Sequence, residues 1–232
     1  MAVVVPARDE ALRLPATVAA ARRLPEVGVV IVVDDGSSDA TAEAARAAGA
    51  LVVAHRRSRG KASAMETGAE VASVLDQHDG RSFPRHLLFL DADLEHTAAN
   101  AAPLAVPVLA GAADMTIAVL PPAASAGGGH GFVVRLARRG IARRTGWSPT
   151  QPLSGQRCMS RACFEALRPL ARGFGVETAL TIDALARGLR VVEVEADLSH
   201  RVTGRDWRAQ RHRARQYRDV ALALAARRRR TA

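Results

Sequence analysis

Two aspartates, Asp91 and Asp93, stand at i and i+2 directly after the apolar run Leu87-Leu88-Phe89-Leu90. Carboxylates so spaced can share one side of a chain as it leaves a sheet, and two hard oxygen ligands there can hold Mg²⁺ or Mn²⁺ against a diphosphate. The ion would neutralise charge on a departing nucleoside diphosphate. Taken alone, D-x-D reads more readily as a solvated turn with a helix cap. Three further clusters bear on that choice. Val32-Val33-Asp34-Asp35-Gly36-Ser37-Ser38-Asp39 ends a β-branched run in acidic residues and a tight turn. There Asp35 can accept hydrogen bonds from a base N–H or a ribose hydroxyl, and Gly36 allows close backbone approach. In Val5-Pro6-Ala7-Arg8-Asp9-Glu10 another run leaves the sheet, with Pro6 and Ala7 at its edge and Glu10 able to reach ribose or base. Arg59-Gly60-Lys61-Ala62 presents Lys61 and helix N-terminal N–H groups to a nucleotide or its phosphates. Lys61 is the only lysine in the chain, which favours a specific role for it.

The elements that must position these groups follow from hydrophobic period and punctuation. Strands are predicted at residues 3–5, 29–33, 51–53, 87–90, 115–120 and 190–194. Helices are predicted at 11–24, with Leu12, Val18 and Leu24 on the apolar side, at 40–48 capped by Asp39, and at 61–75. Others are predicted at 132–144, 160–168 and 176–187, with a long basic helix from about Asp206 and a short extended piece at 152–158. Continuous apolar strands alternating with helices imply a parallel sheet covered on both faces, with ligands beyond the strands' C-terminal ends. The stretch 121–131, rich in Pro, Ala and Gly, can hold neither helix nor strand and is expected to be an active-site loop.

Composition sets the outer bounds. The chain has 232 residues, 48% of them hydrophobic, which is ample for a buried core and excludes a disordered tail protein. The alanine-rich run 98–113 is broken by Pro103 and Pro107, so no membrane span is expected. Without a basic leader before an apolar segment, no secretory signal is expected either, and the expected compartment is the cytoplasm. Cys158 and Cys163 are read as ordinary thiols, since a lone C-x4-C makes a poor zinc site. The formal charge is +10, and from Arg201 onward eleven arginines face two aspartates, so the rest of the chain is nearly neutral. Arg208, Arg211, Arg215 and Arg218 recur at helical spacing beside Trp207 and Tyr217, a stripe that suits anionic lipid head groups or plain solvation equally. With 3% aromatic residues there is no stacking platform for single-stranded nucleic acid.

The four clusters in order, P-A-R-D-E, V-V-D-D-G-S-S-D, R-G-K-A and D-A-D-L, cover roughly residues 3 to 95 and resemble a family 2 glycosyltransferase of the GT-A fold. Asp9 departs from the pattern, which more often has Asn. The second half, through Gln151-Pro152-Leu153-Ser154-Gly155-Gln156, Gly173-Phe174-Gly175-Val176-Glu177 and Asp197-Leu198-Ser199-His200, is similar to glucosyl-3-phosphoglycerate synthases. The resemblance implies an α/β Rossmann-like domain with a mostly parallel central sheet. It also implies a nucleotide-diphosphate sugar donor, UDP-glucose or similar, held by Pro6, Ala7, Glu10, Asp35, Lys61 and Asp91. Mg²⁺ or Mn²⁺ would sit on Asp91, Asp93 and His200, and imidazole suits Mn²⁺ better. Glu177, opening a helix after a glycine-rich turn, can orient or deprotonate an acceptor hydroxyl, or serve only the helix dipole. The synthases' acceptor-gripping Arg and Thr are replaced by Gly131-Phe132-Val133-Val134, which leaves the acceptor open. Arg135, Arg138 and Arg139 are the nearby candidates for anion contacts, against an exposed helix face.

The division expected is 1–205 as the transferase domain, with 1–95 for the nucleotide and 96–205 for the acceptor, and 206–232 as a basic helix. The partners expected are the donor, a small or lipid-linked acceptor, a membrane's inner face through the C-terminal arginines, and a second copy of the chain. The rival readings are a polyprenyl-phosphate glycosyltransferase peripheral to the membrane and a basic nucleic-acid-binding protein. The latter gives no reason for carboxylates gathered on one sheet edge.

Overall fold

A computed structural model of the chain describes residues 1–121, 131–199 and 207–227. Its centre is a seven-stranded sheet in the order β3-β2-β1-β4-β6-β5-β7. The strands are β1 (Ala2–Ala7), β2 (Val29–Asp34), β3 (Leu51–Ala54), β4 (Leu87–Phe89), β5 (Met115–Val119), β6 (Arg157–Met159) and β7 (Val191–Glu195). All run parallel except β6, which lies antiparallel between β4 and β5. The mostly parallel sheet expected from the sequence is present. What period alone did not reveal is the reversed strand at its middle.

Alternation of side chains across the pleat sorts the apolar residues into two layers. Val3, Val5, Val32, Leu88 and Leu90 join one core with helix α1 (Leu14–Ala21), α2 (Thr41–Ala47), the 3₁₀ segment Glu95–Ala101 and α4 (Ala102–Leu109). Val4, Ile31, Val33, Leu87 and Phe89 join the other, with α3 (Lys61–His78) and two later helices, α6 (Arg161–Leu167) and α7 (Val176–Ala186). Each fully buried valine of β1 contributes roughly 1.5–3 kcal/mol of transfer free energy, which anchors the strand under the site. A third cluster joins α5 (Gly131–Thr145), α7 and α8 (Trp207–Ala226) through Val133, Ala137, Ile141, Ile182, Val220 and Leu224. The basic C-terminal helix is thus seated on the domain by its apolar side.

Several local expectations change. Helix α1 starts at Leu14, so Leu12 lies outside it and is 93% exposed, while Val18 and Leu24 are buried as expected. Residues 95–109 form helical turns where no helix is predicted. Pro103 sits in the first turn of α4, where the missing N–H is no loss, and Pro107 lies inside it. Asp39 does not occupy the N-cap position of α2, which falls on Ala40. Its carboxylate still accepts the Thr41 N–H at 3.0 Å and so serves the same orphan donor. Both cysteines are free and buried. No helix among the described residues is long and apolar enough to cross a membrane. Most of the expected loop at 121–131 lies outside the described residues, as do the side chains of Arg208 and Arg211. Arg215 and Arg218 are exposed, the latter 3.2 Å from Asp219.

Candidate functional site at the carboxyl edge of the sheet

Strands β1, β2, β3 and β4 all end on one edge, and the loops that follow are laced together there. The Ala7 carbonyl accepts the Asp35 N–H at 2.8 Å. Asp9 accepts the Ser38 N–H at 2.7 Å and donates its own N–H to Ser37 Oγ at 2.9 Å, and the Glu10 N–H reaches Thr41 Oγ1 at 2.9 Å. Asp9 has φ of 55°, the left-handed region that Asn and Asp tolerate best, so the two residues are interchangeable for backbone reasons. Pro6 is half-buried in register with Val33, and Ala7 is buried opposite Asp34. Glu10 is largely buried, with the Arg13 guanidinium 3.7 Å from its Oε2.

Asp35, expected at the nucleotide, is held by the loop between β3 and α3. Its Oδ1 takes His55 Nδ1 at 2.7 Å and the Arg59 N–H at 2.8 Å, and its Oδ2 takes Ser58 Oγ at 2.7 Å and the Gly60 N–H at 2.8 Å. A carboxylate has about four lone-pair sites, and all four are used by the loop between β3 and α3. Burial opposes ionisation of Asp35. The donors from Arg59, His55, Ser58 and Gly60 outweigh it and hold its pKa below the ordinary value. Gly36 makes this approach feasible. It has φ of +72°, and a Cβ there would stand 2.7 Å from the Arg57 carbonyl carbon and from the Ser58 nitrogen.

The loop so braced delivers Lys61, first residue of α3, to the end of β4. Its Nζ lies 2.7 Å from Asp91 Oδ1 and 3.1 Å from Glu177 Oε1. Burial alone would lower the lysine's pKa, but the Asp91 and Glu177 carboxylates raise it well above the usual value. Asp91 Oδ2 accepts Gln156 Nε2 at 2.6 Å, and Ser154 Oγ donates to Gln156 Oε1 at 3.1 Å. Gly155 packs against this knot, where a Cβ would lie 2.4 Å from Lys61 Nζ and 2.9 Å from Asp91 Oδ2. Glu177 is 9% exposed in the first turn of α7.

Asp93 is half-buried two residues on, with the buried Ala92 between it and Asp91. Among the described residues no three His, Cys, Asp or Glu side chains form a metal-sized group. His200, the expected third ligand, lies outside the described residues. The backbone just before it is tied to the turn after Asp93. Thr97 Oγ1 accepts the Ser199 N–H at 3.2 Å, and Asn100 Nδ2 donates to the Asp197 carbonyl at 2.8 Å.

A cleft of 1130 Å³ opens from Asp91 along the second half of the chain. Leu120, Val134, Pro152 and Leu153 supply apolar wall, and Glu195, Asp197 and Gln156 supply polar groups. Arg138 also lines it, but its guanidinium donates to the carbonyls of Pro149 at 2.9 Å and Thr150 at 2.6 Å. Arg135 and Arg139 border a different groove. Of the three arginines considered as anion contacts, only Arg138 therefore faces the cleft, and it is engaged.

Three contributors escape sequence reasoning. Gln156 belongs to a motif quoted for the resemblance, but nothing in that motif pointed to its contact with Asp91. His55 is a polar residue just past a strand end, where a partner for the neighbouring acidic turn could have been sought. Arg157 is 1% exposed, bonded through its guanidinium to the Ser154 carbonyl at 2.9 Å and Thr181 Oγ1 at 3.0 Å. It joins the cleft wall to the helix that carries Glu177, and burial pushes its pKa down to about 10.

Comparison with known proteins accords with this arrangement. The sequence profile of glycosyl transferase family 2 matches residues 2–149. The glycosyltransferase AglJ of Haloferax volcanii is 29% identical over 185 residues, 76% of this chain and 56% of that protein. An uncharacterised protein of Methanocaldococcus jannaschii is 33% identical over 117 residues, 50% of this chain and 44% of its own length. The chain thus spans about half the length of these two relatives. Among solved structures, glucosyl-3-phosphoglycerate synthase from Mycobacterium tuberculosis with Mn²⁺, UDP and phosphoglyceric acid superposes with a TM-score of 0.78. It is 26% identical, over 97% of this chain and 77% of that one. The same enzyme with Mn²⁺, UDP-glucose and phosphoglyceric acid gives 0.76 at 27% identity, over 97% and 78% of the two chains. The sheet, its flanking helices and the ordered motifs at its edge are those of the GT-A architecture, and the chain belongs to glycosyl transferase family 2.

Proposed function

We propose that the chain is a metal-dependent glycosyltransferase that moves a sugar, glucose or a close relative, from a uridine-diphosphate donor to an acceptor hydroxyl in the cleft. The observation that carries this reading is the Asp91–Lys61–Glu177 ion-pair cluster, where the strand-edge motifs meet the acceptor-side helix at the mouth of the cleft. The named complexes of the similar mycobacterial enzyme with Mn²⁺ and UDP-glucose support the choice of donor and metal. Residues 1–95 would serve the donor and 96–205 the acceptor.

Hard carboxylate oxygens of Asp93 and Asp91 fit a divalent cation, and the tether of Ser199 to Thr97 supports His200 as their companion. When bound, the metal supplies charge neutralisation of the leaving diphosphate. Asp93 would ligate the metal together with His200, and Asp91, held by Lys61 and Gln156, would reach the ribose or the metal. Pro6, Ala7 and Glu10 would line the nucleoside. Asp35 acts as a positioning residue, holding the loop before Lys61. Glu177, steered by Lys61, orients the acceptor hydroxyl and takes up its proton.

The test is release of the nucleoside diphosphate from UDP-, GDP- and ADP-sugars with Mn²⁺, in the presence of phosphoglycerate or of neutral polyols. Turnover of a UDP-sugar that stops with chelator is expected. Release from none of the donors, or release insensitive to chelation, counts against the reading.

A further inference from the structure

We propose that the groove between α5 and α8 is a docking face for an anionic lipid bilayer. On α5, Arg135, Arg139 and Arg143 recur every four residues and stand along one side of the helix. That side is opposite Val133, Ala137 and Ile141, which are buried against α7 and α8. All three arginines are exposed. The groove they border has a volume of 480 Å³, and its described lining holds four arginines and no carboxylate. The fourth, Arg144, is structural, since it donates to the carbonyls of Leu224 and Arg227 and holds the end of α8. No hydrogen bond or ion pair among the described residues engages Arg139 or Arg143, so their charge faces outward.

Aromatic rings stand on the rim of the same groove. Phe132 is 73% exposed, with the Arg135 guanidinium 4.5 Å from its ring centre, and Tyr217 across the groove is 49% exposed. Uncompensated guanidinium groups beside exposed rings suit the head-group layer, where rings enter the interface and cations meet lipid phosphates. A double-stranded nucleic acid would use the arginines but leaves the exposed phenylalanine without a role. The stripe is distinct from the one read in the C-terminal helix sequence, being carried by α5. That helix also lines the cleft through Gly131, Val134 and Arg138. Docking by this face would therefore set the cleft beside the bilayer. Binding is read without turnover, so the inference stands or falls separately from the proposed reaction.

The test is co-sedimentation of the full chain with phosphatidylcholine vesicles, with or without about one-third phosphatidylglycerol, in roughly 0.1 M salt. Binding to the acidic vesicles alone is expected. Each arginine at such a surface contributes roughly fivefold, so Arg139→Gln with Arg143→Gln should weaken binding on the order of 25-fold, and Phe132→Ser should weaken it further. Unchanged circular dichroism and melting would show that these exposed substitutions leave the fold intact. No binding to acidic vesicles would overturn the assignment. So would preference for a duplex DNA oligonucleotide, or loss of vesicle binding only when Arg228, Arg229 and Arg230 are changed to glutamine.

Discussion

Gly36→Ala should be among the most damaging single-methyl additions at the sheet edge, and its cost can be worked from geometry. The residue has φ of +72°, and its new Cβ would stand 2.7 Å from backbone atoms of Arg57 and Ser58, a distance carbon atoms do not tolerate. The left-handed conformation alone costs an alanine about 1 kcal/mol. Relief of the overlap must move the loop that supplies the Ser58, Arg59 and Gly60 donors to Asp35. Weakening two hydrogen bonds to a buried carboxylate adds roughly 3 kcal/mol, for a total of about 4 kcal/mol. Gly80→Ala is the internal control, because Gly80 has φ of +59° with nothing within 4 Å of the added carbon. It should cost only the conformational part, about 1 kcal/mol. For a domain of this size, that means a Tm drop of roughly 8–16 °C for Gly36→Ala against 2–4 °C for Gly80→Ala. The assay is differential scanning fluorimetry, checked by urea unfolding. Equal losses in the two variants would refute the claim that close packing of the two loops shapes this edge.

Three further outcomes are expected. Lys61→Met removes the cation between Asp91 and Glu177. Because the lysine side chain is about one-third exposed, stability should change by less than ~1 kcal/mol while donor affinity falls on the order of tenfold or more, by calorimetry. Asp35 has its folded pKa below the unfolded value, so the unfolded chain binds more protons in that window. Its contribution is present above about pH 4 and is lost as pH falls through the folded pKa. Urea midpoints measured between pH 6 and pH 3 should therefore fall less steeply in Asp35→Asn than in the parent, and parallel slopes would refute this. Cys158 and Cys163 are buried, and burial pushes both thiols up to about 12, so neither should react with a disulfide reagent at pH 8 until the chain unfolds.

The first half of the chain was legible because its signals are local. β1, β2, β3 and β4 are unbroken apolar runs, and each ends in residues whose type already limits what they can do: Pro6, Asp35, Lys61 downstream of its glycine, and Asp91. The second half depends on long-range placement. β6 is three residues long and begins with Arg157, a residue type that reads as surface, yet the guanidinium is satisfied by the nearby Ser154 carbonyl and the Thr181 hydroxyl of a distant helix. Nothing in the order of residues announces that partner set. The same holds for Gln156, whose contact with Asp91 exists only because an antiparallel strand is inserted beside β4. Asp35 is the instructive case at the edge itself. Its type and position were evident, but its occupancy by four loop donors depends on where Ser58 and Gly60 lie in space.

Calorimetric titration of UDP-glucose with and without Mn²⁺ is the sharpest check on the claim that the strand ends form a metal-dependent nucleotide-sugar site. The parent chain should bind in the presence of Mn²⁺, lose that binding on chelation, and lose at least about tenfold in affinity, roughly 1.4 kcal/mol, on Asp93→Ala with its circular dichroism unchanged. Binding of equal strength without metal or in Asp93→Ala would contradict the claim, as would no binding of any nucleotide sugar by the folded protein.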